Sequence, residues 1–174
     1  MVSFLPIFYF IHSIMLLNAE QVSTLLQTNG LGAKAQVGYD LTLKSINRVH
    51  GGAIFKDKSQ INTYSEILPM VNPTGKIMYT LNSGVYSLTF DQGIKLPADR
   101  TAFIVHRSSI VRCGAIITSG VFDPGFEVEN MGAIMFVYET ILIERGARVA
   151  QVIIHENYQA MQYQGQYQGA ADKK

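Results

Sequence analysis

Four short stretches of this chain carry residue types that could do chemistry. In "HRSSIVRCG" at 106–114, Arg107, Ser108, Ser109 and Arg112 bring two guanidiniums and two hydroxyls within six residues. Guanidiniums present rigid forks of donors, so the run suits a multiply charged oxyanion such as a di- or triphosphate. The same letters also spell a helix start, with Ser108 or Ser109 as the cap and the arginines in solvent. "SGVFDPGFEVEN" at 119–130 presents Asp123 after an apolar pair and before Pro-Gly, at a turn on the rim of a sheet. A carboxylate held there can take a proton from water, or it can hydrogen-bond the backbone of its own turn. Phe126 in the same stretch can fill the core or lie under a sugar ring. "RGARVAQ" at 145–151 sets Arg148 and Gln151 along a strand, where a buried amide needs a partner. Last comes "MQYQGQYQG" at 161–169, with no charge and no aliphatic anchor after Met161. It is either a solvated chain end or an arm that orders over something flat and polar. For the second role glycine gives the bend, tyrosine the stacking face and glutamine both a donor and an acceptor.

The elements that must position these residues are mostly strands. "YDLTL", "GVYSLTF", "TAFIVH" and "RVAQVIIH" alternate with period two and are rich in Val, Ile, Tyr, Phe and Thr. Turn signals separate them at Asn72-Pro73-Thr74-Gly75, Asp91-Gln92-Gly93, Leu96-Pro97-Ala98-Asp99, Asp123-Pro124-Gly125 and Glu144-Arg145-Gly146. Many short strands with close turns predict an all-β sandwich or barrel of the jelly-roll kind. The stretch 51–68 alternates less and reads as a surface excursion. One short helix is expected near the start: Asn18 caps it with Gln21 at N3, Leu17 staples against Val22, and Asn29-Gly30 ends it.

Composition narrows the classes. With 174 residues, 48% of them apolar and 16% charged, the chain can fill one core. A formal charge of +1 and the lack of any Lys/Arg run exclude a phosphate-gripping nucleic-acid binder. Cys113 is the sole cysteine and the four histidines never fall at metal-ligand spacing, which points to a reducing, cytoplasmic setting. Residues 1–14 stand apart. "MVSFLPIFYFIHSIMLL" is nearly all apolar, but it has no basic start, and Pro6 and His12 break it. It reads as an anchor, an added packing strand, or an extension upstream of a natural start at Met15. Only a genuine extension would bring a membrane into play. The expected organisation is thus an extension at 1–14, one domain at 15–160 and a flexible arm at 161–174.

The order of segments says more than any one of them. "VGYDLTL", "LPADRTAFIVHRSSIVRCG", "SGVFDPGF", "RGARVAQVII" and "YQGQYQG" follow one another much as they do in the deoxyuridine triphosphatases and dCTP deaminases, which the chain resembles over about residues 15–169. The "DPGF" turn and "YQGQ" are most similar to the dCTP deaminase branch and its archaeal or viral dUTPase relatives. The resemblance implies a distorted jelly roll, the dUTPase-like β-clip, assembled as a homotrimer with sites between subunits. It assigns the triphosphate to Arg107, Ser108, Ser109, Arg112 and Gln151. Asp123 would support the 3′-hydroxyl region and, as in the dUTPases, orient the attacking water. Tyr158 and the arm residues Tyr163, Gln164, Gly165 and Gln166 would close over base and phosphates. Mg²⁺ would be bound mainly through the triphosphate of the deoxynucleotide substrate.

The resemblance also bears on the reaction. Deamination of cytosine needs a group beside the base to shuttle protons, and the family's deaminases use a Glu on the strand after the "DPGF" turn. Counted without gaps, that place holds Ala133, between Gly132 and Ile134. Alanine transfers no proton. The backbone of Met131, Gly132 and Ala133 would instead read uracil, since a peptide offers a donor and an acceptor. The implied activity is a dUTP diphosphatase yielding dUMP and pyrophosphate. The alternatives are a dCTP deaminase, alone or bifunctional, and a non-catalytic nucleotide-binding or structural jelly roll. Two departures from the family pattern are Gln162, where a Lys is usual, and Ile116, where deaminases carry a His.

Overall fold

A computed structural model describes residues 15–54, 59–61, 63–157 and Gln164. The chain opens with α1 (Ala19–Thr24), then β1 (Leu26–Gln27), β2 (Ala33–Lys34) and the long β3 (Tyr39–Val49). Next come β4 (Gly52–Ile54), β5 (Ser59–Ile61), β6 (Tyr64–Glu66), β7 (Met70–Val71), β8 (Ile77–Leu81) and β9 (Gly84–Phe90). β10 (Gly93–Lys95) and β11 (Arg100–His106) lead into a single helical turn, α2 (Ser108–Arg112). The remainder is β12 (Ala115–Thr118), β13 (Glu127–Val128), β14 (Gly132–Val137), β15 (Ile141–Glu144) and β16 (Arg148–Glu156). The fold is all-β, a distorted jelly roll with two short helices.

The main sheet runs β16-β11-β12-β14-β9-β3-β2, and β16 also pairs with residues 39–42 of β3, so the sheet curls back on itself. Alternation along these strands gives two faces. The inner one carries Tyr86, Leu88, Phe90, Ala102, Ile104, Ile117, Met135, Val152 and Ile154, all buried. They pack with Leu41, Leu43 and Ile46 of β3 and with Tyr79, Leu81, Ile141 and Ile143 of the smaller sheet β15-β8-β7. Each such aliphatic side chain is worth about 1.5–3 kcal/mol on burial, so this core carries the fold. Gly52–Ile54 stays outside it, with Ile54 almost fully in solvent.

The start of the domain follows the capping signal. Asn18 accepts from the Gln21 backbone and Gln21 returns the bond, while Val22 and Leu17 are buried beneath. The helix is shorter than expected, ending at Thr24 rather than near Asn29-Gly30. Leu26 and Gln27 pair with Ile94 and Gly93, and Lys95 donates to the Leu25 carbonyl at 3.1 Å. Those ladder bonds replace a further helical turn. Among the described residues no helix is long and apolar enough to cross a membrane.

Because the capping box is exposed and local, Asn18→Ala should lower stability by about 1 kcal/mol. For a chain of this size that is a melting-point drop of about 2–4 °C, measurable by thermal denaturation, while Asn18→Asp should melt with the wild type.

Candidate functional site: an anion cup and a separate apolar cleft

Three elements meet at one end of the sheet: the β2–β3 hairpin, the passage from β11 into α2, and the start of β16. Asp40 lies on β3 opposite Gln151 of β16, among residues that are all buried. Its carboxylate is itself 8% exposed, and Oδ2 stands 3.3 Å from Arg107 Nε and 3.5 Å from an Arg148 terminal nitrogen. Arg107 also donates to the Arg148 carbonyl at 3.0 Å. A single buried carboxylate thereby holds two guanidiniums side by side, which their mutual repulsion would otherwise oppose. Arg107 is the N-cap residue of α2 in extended conformation, so its side chain turns back toward β16 and not along the helix.

The arginines wall a cleft of about 660 Å³ lined also by Lys34, Gln36, His106, Ser108 and Gln151. Lys34, Arg107 and Arg148 line it with the carboxylate of Asp40; Lys34 is paired with Glu20 at 2.6 Å, so the two arginines against Asp40 leave one positive charge for an anion. His106 Nδ1 lies 3.2 Å from the Ile117 carbonyl. A carbonyl only accepts, so Nδ1 donates to it. Gln151 donates to the Val37 carbonyl, tying the hairpin turn to β16. Gly38, at φ +79, makes that approach possible, since any Cβ there would strike the Val152 carbonyl.

The other expected phosphate ligands are placed differently. Ser109 and Arg112 are exposed on α2 and do not line the cup, because the single turn is anchored by Ile110 and directs them outward. Neither serine caps the helix through its side chain.

A second cleft, about 600 Å³, is lined by Ser87, Thr118, Ser119, Gly120, Gly132, Ala133, Ile134 and Phe136. It opens where the β12–β14 ladder stops at Thr118↔Ile134. Met131 N donates to the Gln92 carbonyl and its own carbonyl accepts from Phe90 N, so both face β9 and β10. By strand alternation the peptide groups of Gly132 point the other way, into the gap that β12 leaves. Two expected contacts are corrected here. Met131 is fully buried with both peptide groups already bonded, so it reads no ligand. Phe126 is a core residue, 8% exposed and stacked on Phe122 with ring centroids 5.2 Å apart, so it offers no face to a sugar.

Asp123 begins a tight turn in which Phe126 N donates to its carbonyl at 3.1 Å. Its half-buried carboxylate meets no hydrogen-bond or ionic partner among the described residues, so the turn does not consume it. Phe122 bridges to Ala102, five residues before Arg107 on β11. At the rise of a β-strand that separates Asp123 from the cup by about 16 Å. Within one chain, carboxylate and arginines lie too far apart to share a reacting atom. Of the arm, Gln164 is exposed, and Tyr158, Tyr163, Gly165 and Gln166 lie outside the described residues, as do 1–14.

The pattern of cup, apolar cleft and turn carboxylate sits within residues 16–157, the span matched by the dCTP deaminase-like family. The chain belongs to that family. It is 32% identical over 138 residues to the deoxyuridine 5'-triphosphate nucleotidohydrolase of Methanocaldococcus jannaschii, covering 77% of this chain and 86% of that one. A probable enzyme of the same name from Halobacterium salinarum is 30% identical over 133 residues, with 75% and 80% covered. The crystal structure of 2'-deoxycytidine 5'-triphosphate deaminase from Agrobacterium tumefaciens superposes with a TM-score of 0.62 at 15% identity. That likeness concerns the fold, and covers 83% of this chain but only 49% of that one.

Reading motifs alone missed Asp40, Lys34, Gln36 and His106 as cup residues. For Asp40 a signal existed. A carboxylate between Tyr39 and Leu41 in a buried strand must have a cationic partner, and the arginines are the available ones. Removing it tests the cup directly. In urea unfolding Asp40→Ala should lose about 1–2 kcal/mol, toward the low end for a buried pair because both arginines are partly in water. High salt should narrow the difference, and an unchanged midpoint would show that the guanidiniums do not depend on it.

Proposed function

We propose that the chain is a dUTP diphosphatase, hydrolysing dUTP to dUMP and pyrophosphate in the cytoplasm. The observation that carries this reading is a contrast between the two clefts. The anion cup holds paired guanidiniums, whereas the apolar cleft has no titratable side chain in its own lining. Deamination needs an acid–base group at the base, and Ala133, buried on β14, cannot be one. Hydrolysis of a phosphoanhydride needs charge stabilisation and one base for water. The relatives named for dUTP hydrolysis support the same substrate.

In this mechanism Arg107, Arg148 and Lys34 hold the phosphates, with Ser108 and Gln151 beside them. Asp123 takes a proton from water as the water oxygen attacks the α-phosphorus, and the bond to the bridging oxygen breaks to release pyrophosphate. The Gly132 peptide meets the uracil edge, and the arm residues Tyr158, Tyr163, Gln164, Gly165 and Gln166 close over the nucleotide. Asp40 is the one carboxylate in the cup and is already shared by two arginines, and among the described residues no group of three ligands could hold a metal. Mg²⁺ entering on the triphosphate would neutralise its charge.

Because Asp123 and the cup lie at opposite ends of β11, the complete site requires two copies. The outward face of the main sheet suits such contact: Val85, Phe103, Val105, Ile116, Ile134, Phe136 and Ile153 form an apolar surface, with Phe136 39% exposed. One copy's cup meeting the next copy's carboxylate is a head-to-tail contact, which closes into a ring. We propose the homotrimer that the family resemblance implies.

Purified protein with dUTP and Mg²⁺ should release dUMP and pyrophosphate, and Asp123→Asn should lower kcat by about 10²–10⁴. Ammonia from dCTP without pyrophosphate from dUTP would refute the assignment. Shared sites predict complementation: mixing inactive Asp123→Asn with inactive Arg107→Ala, after dissociation and reassembly, should restore about a quarter of wild-type activity. No recovery in a confirmed mixed oligomer would place both residues in one subunit's site.

A further inference from the structure

Gln92 is wholly buried, although its side chain is an amide and it lines neither cleft. Its place follows from β3. Residues 39–42 of that strand pair with β16, whereas Leu43 and its successors pair with β9. Register shifts flank the change, between Arg148 and Ala150 on one side and between Leu43 and Ser45 on the other. Such irregularities leave backbone groups without a ladder partner. Thr42 sits at the switch, and a side chain supplies what the ladder lacks. The Thr42 N–H donates to Gln92 Oε1 at 2.9 Å, and Gln92 Nε2 donates to Thr42 Oγ1 at 2.6 Å. Asp91 N completes the set by donating to the Thr42 carbonyl at 3.0 Å. The amide stands in for the peptide group of a missing strand.

What the bolt fixes is the cup. Thr42 lies directly opposite Arg148 and two residues from Asp40, whose carboxylate joins Arg148 to Arg107. Gly32 presses on the same spot at φ +82. A Cβ there would stand 2.5 Å from the Asp40 carbonyl and 3.2 Å from Gln92 Nε2, so strand and amide have no slack on that side. We propose that Gln92 is a positioning residue for the anion cup, holding Thr42 and through it the alignment of Asp40 with Arg148. The inference rests on the cup being a polyphosphate site and is separable from the identity of the nucleotide.

The test uses the full chain, Mg²⁺ and inorganic tripolyphosphate as the calorimetric probe, with Leu81→Ala as a core variant remote from the cup. Gln92→Met should weaken tripolyphosphate binding about tenfold, while Leu81→Ala, despite a comparable loss of Tm, should bind as wild type. Thr42→Ser should keep wild-type affinity and Thr42→Val should weaken it about threefold, which also serves if Gln92→Met does not fold. Wild-type affinity in Gln92→Met, or in Thr42→Val, overturns the proposal, as does a wild type that binds no tripolyphosphate. Turnover of dUTP, scored in parallel, judges the reaction separately. Where it proceeds, Gln92→Met should raise KM far more than it lowers kcat. Gln92-dependent tripolyphosphate binding without any dUTP hydrolysis would leave the positioning role standing and remove the proposed activity.

Discussion

The site depends on one carboxylate shared by two guanidiniums. Asp40 sits on a strand whose neighbours are all buried, so its charge had to be met from within the fold. Arg107 and Arg148 meet it from different elements, one at the end of β11 and one at the start of β16. Each guanidinium has five N–H donors and gives only a few to Asp40 or to backbone, so most remain for a ligand. The ion pair therefore works less as a brace for the domain than as a jig for the donors. Its position in turn follows from β3, the strand that changes partners between β16 and β9 and is held there by an amide and not by a ladder.

The main sheet is apolar on both faces, and this shapes the function as much as the cup does. Antiparallel sheets with one wet face usually alternate apolar and polar residues. Here the outward positions of three strands include Phe103, Val105, Ile116, Ile134 and Phe136. Such a surface asks for a partner, and the division of the candidate site between the two ends of β11 says what the partner brings. In the proposed assembly, placing turn carboxylate and anion cup on different copies lets each be built on rigid strands without a loop long enough to join them. It also makes assembly a condition for activity in the proposed mechanism.

Much of this was legible from period and punctuation. Alternation in "GVYSLTF", "TAFIVH" and "RVAQVIIH" gave β9, β11 and β16, and Asn18 with Gln21 gave the start of α1. The end of α1 was not legible, because Leu25, Leu26 and Gln27 suit a helix by local preference and yield to pairing with β10, a partner far off in sequence. "HRSSIVRCG" was open to two readings, and the structure gives it parts in both a helix and a cleft. It starts a helix and it supplies the cup, but through Arg107 and Ser108, while Ser109 and Arg112 face solvent. Helical geometry separates residues that a motif lists together. Asp40 and Gln92 were hidden for a different reason. Each is a polar residue in an apolar run, a signal that something must satisfy it, and only the three-dimensional pairing says what.

The apolar cleft, with no titratable side chain in its lining, fits the proposed hydrolysis and not a deamination. A proton shuttle is a single side chain, and replacing it with alanine removes that chemistry without disturbing strand pairing, since Ala133 packs inward on β14 opposite Leu88. In the proposed function, recognition of the base rests on backbone. The Gly132 peptide faces the gap beyond Thr118, and with no side chain of its own it lets a flat ligand approach closely. A peptide presents one donor and one acceptor side by side, which can meet the edge of a pyrimidine. Asp123 complements this division of labour. It stands outside both clefts, its carboxylate without a partner among the described residues, as the proposed role of activating water beside another copy's arginines requires.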